Sequence, residues 1–232
     1  MLMLGMDTSA VAASAALWED ERLIGESFVN VKLTHSQTIL PMVHSLFASC
    51  GRALSQVDRF AVSTGPGSFT GLRIGISAVK GMAFCLKKDC IPVSTLEALA
   101  YNLLGQDCIA VAAMDARCQQ VYTASFLVGR DSVRRLTEDA ALSIQELWEW
   151  VGENSGALPV VLVGDGAGLC YNSWKGEKAL LAPEQLRFQR ASSVCAAALR
   201  HPEEKTDPAQ LVPQYLRLPQ AQRELLKKQK KA

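Results

Sequence analysis

The sequence predicts an α/β chain of two lobes, each a mixed β-sheet flanked by helices, and three observations carry that prediction. The order strand-strand-strand-helix-strand-helix runs through the first half of the 232 residues and again through the second. The first strand of each copy ends alike, in GMDTS at Gly5–Ser9 and AMDAR at Ala113–Arg117, which puts Asp7 and Asp115 in equivalent turns. Hydrophobic residues at 49% and charged residues at 20% give the balance of a globular chain long enough to bury a sizeable core. The expected organisation is a first lobe over 1–104, a second over 105–218 and a basic tail over 219–232.

Each element follows from its pattern. Short apolar or alternating runs at 2–7, 11–18 and 22–31, separated by a few turn residues, predict a three-stranded meander. A helix follows, with Thr34 and Gln37 spaced as a capping box, Ile39, Leu40, Val43, Leu46 and Phe47 at helical spacing, and Gly51 as its stop. A strand at 59–63, a helix at 69–87 and a strand at 90–93 complete the half. The second half repeats the order, with strands at 108–114, 120–128 and 132–137, a helix at 143–151, a strand at 159–163 and a helix at 191–200.

Charge and cysteine content exclude several classes. The formal net charge is +1, but residues 219–232 hold five Lys and Arg against Glu224, a local +4, which leaves the body near −3. A body of that sign lacks the broad basic footprint that grips phosphate backbones, so any contact with RNA falls to the tail, whose other reading is a solvated terminal helix. Seven cysteines without a CxxC pair read as reduced thiols of a cytoplasmic protein. The N-terminal apolar run has no preceding Lys or Arg and is broken by Asp7, the mark of a first strand rather than a signal peptide. No run approaches the ~18 apolar residues of a membrane span.

The stretch STGPGSFTGLRIGISAVKGMAF, Ser63–Phe84, is the most informative. Gly65, Gly67 and Gly71 lie between a strand and a long helix, where backbone N–H groups can cradle an anion or simply make a tight turn. No Gly-Lys-Ser/Thr follows, so it is not a P-loop. The small residues Gly75, Ala78 and Gly81 let another helix or the core approach closely. Asp7, Thr8 and Ser9 read either as a metal-linked acid with phosphate-contacting hydroxyls or as a turn closed by its own side chains. Asp115 and Arg117 read more simply as a turn held by an Asp–Arg contact. Of the three histidines, His35 and His44 are nine apart and share no helical face, which argues against a metal site.

Two such halves resemble the actin-like ATPase (ASKHA) architecture, in which nucleotide sits between lobes. More specifically, GMDTSA at 5–10, THSQTILP at 34–41, STGPGSFTGLRIGISAVKGMA at 63–83, IPVSTLEALA at 91–100, MDAR at 114–117 and PQYLR at 213–217 resemble the bacterial threonylcarbamoyladenosine biosynthesis family TsaB, formerly YeaZ, over almost the whole chain. That family is related to the catalytic subunit TsaD, whose metal-binding H-x-x-x-H motif falls here on Thr95 and Leu99, neither of which replaces an imidazole. The resemblance implies a chain with no catalytic residue, metal or cofactor of its own. Its TsaD partner and a third subunit, the ATPase TsaE, supply the ATP and the metal ion, and transfer RNA is met indirectly. It also implies pairing with TsaD, or with itself, through helices 35–50 and 69–87, with Leu40, Val43, Phe47, Gly71, Ile74, Gly75 and Ala78 as the contact face. A rival reading is a stand-alone actin-fold ATPase or phosphotransferase, using Asp7, Thr8, Ser9, Gly65 and Gly67 with the glycine-rich VLVGDGAGL at 161–169. A peptidase fares worst, for want of ligands.

Overall fold

The computed structural model describes residues 1–174 and 179–217, so the basic tail lies outside the described residues. In the first half, β1 (Leu2–Asp7), β2 (Ala13–Glu19) and β3 (Arg22–Val29) form the antiparallel meander, followed by α1 (His35–Cys50), β4 (Arg59–Gly65), α2 (Phe69–Leu86) and β5 (Cys90–Ser94). The sheet runs β3-β2-β1-β4-β5, with β4 parallel to β1 and β5 parallel to β4. After α3 (Thr95–Tyr101) come β6 (Cys108–Asp115), β7 (Gln120–Val128), β8 (Val133–Arg135), β9 (Ala140–Ser143), α4 (Ile144–Asn154), β10 (Val160–Val163), α5 (Ala167–Ser173), β11 (Ala179–Leu181), α6 (Glu184–Arg187) and α7 (Ala191–Ala198). The second sheet runs β11-β10-β6-β7-β8, and β9 also pairs with β7, so the third strand of this copy is split in two. The two sheets share one strand order, as the duplicated pattern predicts.

The structure corrects the expected boundary and one expected helix. The helix that follows β10 in the repeat is α5, not 191–200. The latter, as α7, crosses back and packs on β1 and β2 of the first sheet, so the second lobe is not the continuous segment 105–218. Its sequence, ASSVCAAA, is built of small side chains that let a helix lie close on a sheet. Gly5 on β1 completes the fit, since a Cβ there would fall 2.4 Å from Cys195 Sγ. In exchange, Leu96, Leu99 and Leu103, in and just after α3, share an apolar cluster with Ala110, Ala112 and Phe126 of the second sheet. Two polar clamps hold the exchange in place. Asn102 Nδ2 donates to the carbonyls of Leu186 (2.7 Å) and Phe188 (2.8 Å) and its Oδ1 accepts from Ser193 Oγ (2.6 Å), while Glu26 accepts from Arg190 and Ser192.

At the helix ends, Gly51 closes α1 in the left-handed region at φ 60°, as its spacing predicts. Thr34 stands at the start of α1, but its hydroxyl makes no capping bond, so the expected box is absent there and occurs instead at Ser143 and Glu146 of α4. Helix α2, of 18 residues and mean hydropathy 1.3, reaches the length and average apolarity of a membrane span although its sequence holds no unbroken apolar run. The fold accounts for that apolarity, because Leu72, Ile76, Val79 and Ala83 enter the first lobe's core.

Candidate functional site

Two cavities meet at the N-terminal end of α2. The first, about 730 Å³, lies between the lobes and is lined by Ser9, Gly67, Ser68, Asp115, Asp165 and the segment Gln214–Arg217, among others. Of the residues expected to hold a phosphate there, Asp7 is fully buried behind the cleft. Its Oδ1 accepts from the Ser9 amide and hydroxyl, each at 2.8 Å, and its Oδ2 accepts a short bond from Ser63 Oγ. Burial pushes its carboxyl above the ordinary carboxylate range, against the pull of those bonds. Asp7 thus closes a turn through its own side chain.

Thr8 and the glycines are likewise engaged within the first lobe. Thr8 Oγ1 donates to the Gly71 carbonyl (2.8 Å). A Cβ at Gly71 would lie 2.1 Å from the Thr8 carbonyl oxygen, and one at Gly67 2.5 Å from that of Ser9. The Ser68 amide donates to the Ser9 carbonyl (2.6 Å) and the Gly71 amide to Ser68 Oγ (3.2 Å). Gly67, Gly71 and the Ser68 amide thus dock α2 against residues 8 and 9, while the Gly71 amide is taken by the helix's own cap. Gly65, at φ 136°, faces the Gln214 carbonyl rather than the cleft.

The carboxylates in the cleft wall, Asp115 and Asp165, come from the second lobe. Asp115 accepts from the Arg117 amide (2.7 Å) and pairs with its guanidinium (3.3 Å), as expected for a turn held by that contact. Asp165, beside it, has its carboxyl pushed up by burial, with Asp115 adding to the shift and a hydrogen bond from Gln189 opposing it.

The second cavity, about 580 Å³, is an apolar groove between α1 and α2, walled by Ile39, Leu40, Phe69, Arg73, Ile74 and Ala78. Here the structure divides the expected contact face. Leu40 is 51% exposed, and Ile74 and Ala78 are half-buried at the groove. Val43 (5%) and Phe47 (7%) belong to the first lobe's core, and Gly71 and Gly75 are pressed on Thr8, so these four face their own chain. A helix beside a sheet buries one face, and the apolar stripe of α1 supplied both that face and the groove. Gly81, one of the row of small residues on α2, and Phe84 both stand outside the expected contact face. Gly81 is a mid-helix glycine with nothing within 4 Å of where a Cβ would stand, and Phe84, one turn on, is 72% exposed.

The family model described as TsaD, tRNA N6-adenosine threonylcarbamoyltransferase, matches residues 30–225. The tRNA threonylcarbamoyladenosine biosynthesis protein TsaB of Bacillus subtilis is 31% identical over 233 residues, covering 99% of this chain and 100% of that protein. The structure of YeaZ from Pseudomonas aeruginosa superposes with a TM-score of 0.80 at 31% identity, covering 93% of this chain and 99% of that one. The chain belongs to the TsaB (YeaZ) family. Its actin-like ATPase fold is also that of component A of the Acidaminococcus fermentans (R)-2-hydroxyglutaryl-CoA dehydratase, which superposes over 86% of this chain and 97% of that one with a TM-score of 0.52 at 10% identity.

In this TsaB-family chain, Thr95 and Leu99, where the resemblance puts the TsaD metal-binding motif, do not fit a metal. Thr95 and Leu99 lie one turn apart on α3, both buried. Leu99 is embedded in the apolar cluster of the second lobe, and Thr95 Oγ1 has no hydrogen-bond partner. What fills that position is interlobe packing. A different cluster, His201 with Glu203 and Glu204, gathers donor atoms within 4.8 Å. His201 Nε2 is already bonded to Glu97 (2.8 Å), and both glutamates are exposed.

Proposed function

We propose that this chain is a non-catalytic, activating subunit of the assembly that transfers threonylcarbamoyl to the adenosine beside the anticodon of transfer RNAs reading codons that begin with A. Catalysis, the metal ion and ATP belong to a TsaD-type partner and a TsaE-type ATPase. The chain works in the cytoplasm, meets transfer RNA through its partners, and pairs with TsaD or with a second copy of itself through the face formed by α1 and α2. The apolar groove between α1 and α2 is the observation that carries this reading, and Gly81 lies on α2. Gly in the middle of a helix costs about 0.5–1 kcal/mol relative to Ala, and its own lobe makes no use of the space left open. A partner helix lying close against α2 would use it, with Leu40, Ile74 and Ala78 lining the groove alongside and Phe84 one turn beyond.

Reconstituted modification of transfer RNA, with and without this chain, tests the role. The partner face is tested by co-purification with a TsaD-type protein. Leu40→Asp and Ile74→Asp leave the monomer folded because both side chains reach the surface, whereas the same change at Phe47 would strike the core. Burying an unpaired carboxylate costs several kcal/mol, enough to lower affinity about a thousandfold. Undiminished capture by both variants would remove the groove from the interface.

The 730 Å³ cleft, with Asp115 and Asp165 in its wall, favours the second reading, a stand-alone actin-fold ATPase or phosphotransferase. ATP turnover by the purified chain that disappears in Asp115→Asn would establish it in place of the first.

A further inference from the structure

After α7 the chain returns along α2 and ends its described course at the cleft. Leu211 is buried in the first lobe's core, and Lys80 Nζ donates to the carbonyls of Ala209 (3.0 Å) and Leu211 (3.1 Å). Beyond Leu211 the hold changes character. Val212, Tyr215 and Leu216 are exposed, and the segment is retained through Gln214, Tyr215 and Arg217. The Gln214 amide donates to the Thr64 carbonyl (2.8 Å). The Tyr215 ring stacks on Phe69 with centroids 4.3 Å apart, and its hydroxyl accepts from Arg73 Nε (2.9 Å). Arg217 Nη1 donates to the Ala116 carbonyl (3.1 Å).

Thr64, Phe69 and Arg73 belong to the first lobe and Ala116 to the second, so residues 212–217 bridge the lobes, and four of them form part of the cleft wall. Room for the crossing is provided at Gly65, where a Cβ would stand 2.2 Å from the Gln214 carbonyl oxygen. A segment with a buried anchor at one end and exposed side chains beyond it opens locally at far lower free energy than the core opens.

We propose that residues 212–217 are a strap that gates the interlobe cleft, hinged at Leu211 and latched by Tyr215 on Phe69 and Arg73 and by Arg217 on the turn after β6. Latched, the strap ties the lobes across the cleft; released, it opens that side of the cleft to a ligand.

The test places a thiol in the cleft wall of the full chain. Tyr122→Cys, in a background carrying Cys85→Ser and Cys118→Ser to remove the two exposed thiols, is labelled with a maleimide and resolved by mass spectrometry. Loss of the stacked ring in Tyr215→Ala should speed labelling of residue 122 about tenfold. Arg217→Ala should do so severalfold, and Tyr215→Phe, which keeps the stack and loses the hydroxyl, should fall between wild type and Tyr215→Ala. Cys90 and Cys195 serve as internal references. Both are buried, and burial pushes the Cys90 thiol up to about 12. Their labelling should stay slow in every variant. An unchanged rate at residue 122 in Tyr215→Ala overturns the proposal. So does a parallel rise at Cys90 and Cys195, since the body would then be opening as a whole.

Discussion

The two lobes repeat one strand order, yet the equivalent turns at the ends of β1 and β6 have opposite fates. Asp7 is sealed from the cleft by Ser9 and Ser63, and α2 is pressed down over its turn through Gly71 and Gly75. Asp115 stays in the cleft wall, bonded to the backbone and side chain of an exposed Arg117. The helices differ in the same way. Those of the first lobe, α1 and α2, have 16 and 18 residues, long enough to leave a groove between them, whereas α4 and α5 have 11 and 7. A duplicated pattern thus sets topology, while the chemistry of each copy is decided by what is packed on its first turn.

That contrast breaks most sharply at the glycines. In Gly71→Ala the new methyl would meet a backbone carbonyl that cannot move independently of β1, so about 3 kcal/mol of stability or more should be lost. Gly168→Ala, in the first turn of α5, meets open space and should be neutral or slightly stabilising. Urea unfolding of the two variants gives the comparison directly, and equal losses would mean that α2 is not seated on residue 8 as described.

The aspartates provide the next largest difference. Asp7→Ala strips acceptors from the Ser9 amide and from the Ser9 and Ser63 hydroxyls, all buried, and should cost about 3 kcal/mol. Asp115→Ala removes contacts to a side chain that is itself in water, and should cost less than about 1 kcal/mol. Chemical denaturation distinguishes them. If Asp115→Ala proved the more damaging, the cleft would be the structural centre and the Asp7 turn the dispensable one.

Much of this was legible in the sequence, and what was missed has physical causes. Leu2–Asp7 is a short apolar run that carries its turn chemistry beside it, so β1 is readable to the residue, and the meander, α1, α2 and β10 follow similar rules. Helices α3 and α5, seven residues each, are too short for a period to show, and β11 has three. The return of α7 to the first sheet was invisible because small residues say that something comes close without saying what. The same ambiguity put residues buried in their own lobe into the expected contact face. Gly71, Gly75 and Gly81 look alike along a helix, but the first two accommodate Thr8 and only the third is open. No local pattern announces the crossing of the cleft by Gln214–Arg217, which depends on contacts more than 100 residues apart in sequence.

Gly81 provides the smallest expected effect and the finest division between the lobe's own needs and those of a partner. In the isolated chain, Gly81→Ala restricts the unfolded ensemble and fits the helix without a clash, so stability should rise by about 0.5–1 kcal/mol. If α2 is approached closely at that point, the same methyl should weaken capture of a TsaD-type partner, and Gly81→Leu should weaken it further while leaving the monomer folded. Thermal unfolding and binding would then move in opposite directions. A variant that gains stability and binds its partner unchanged would show the open space to be unused, and would confine the docking face to Leu40, Ile74 and Ala78.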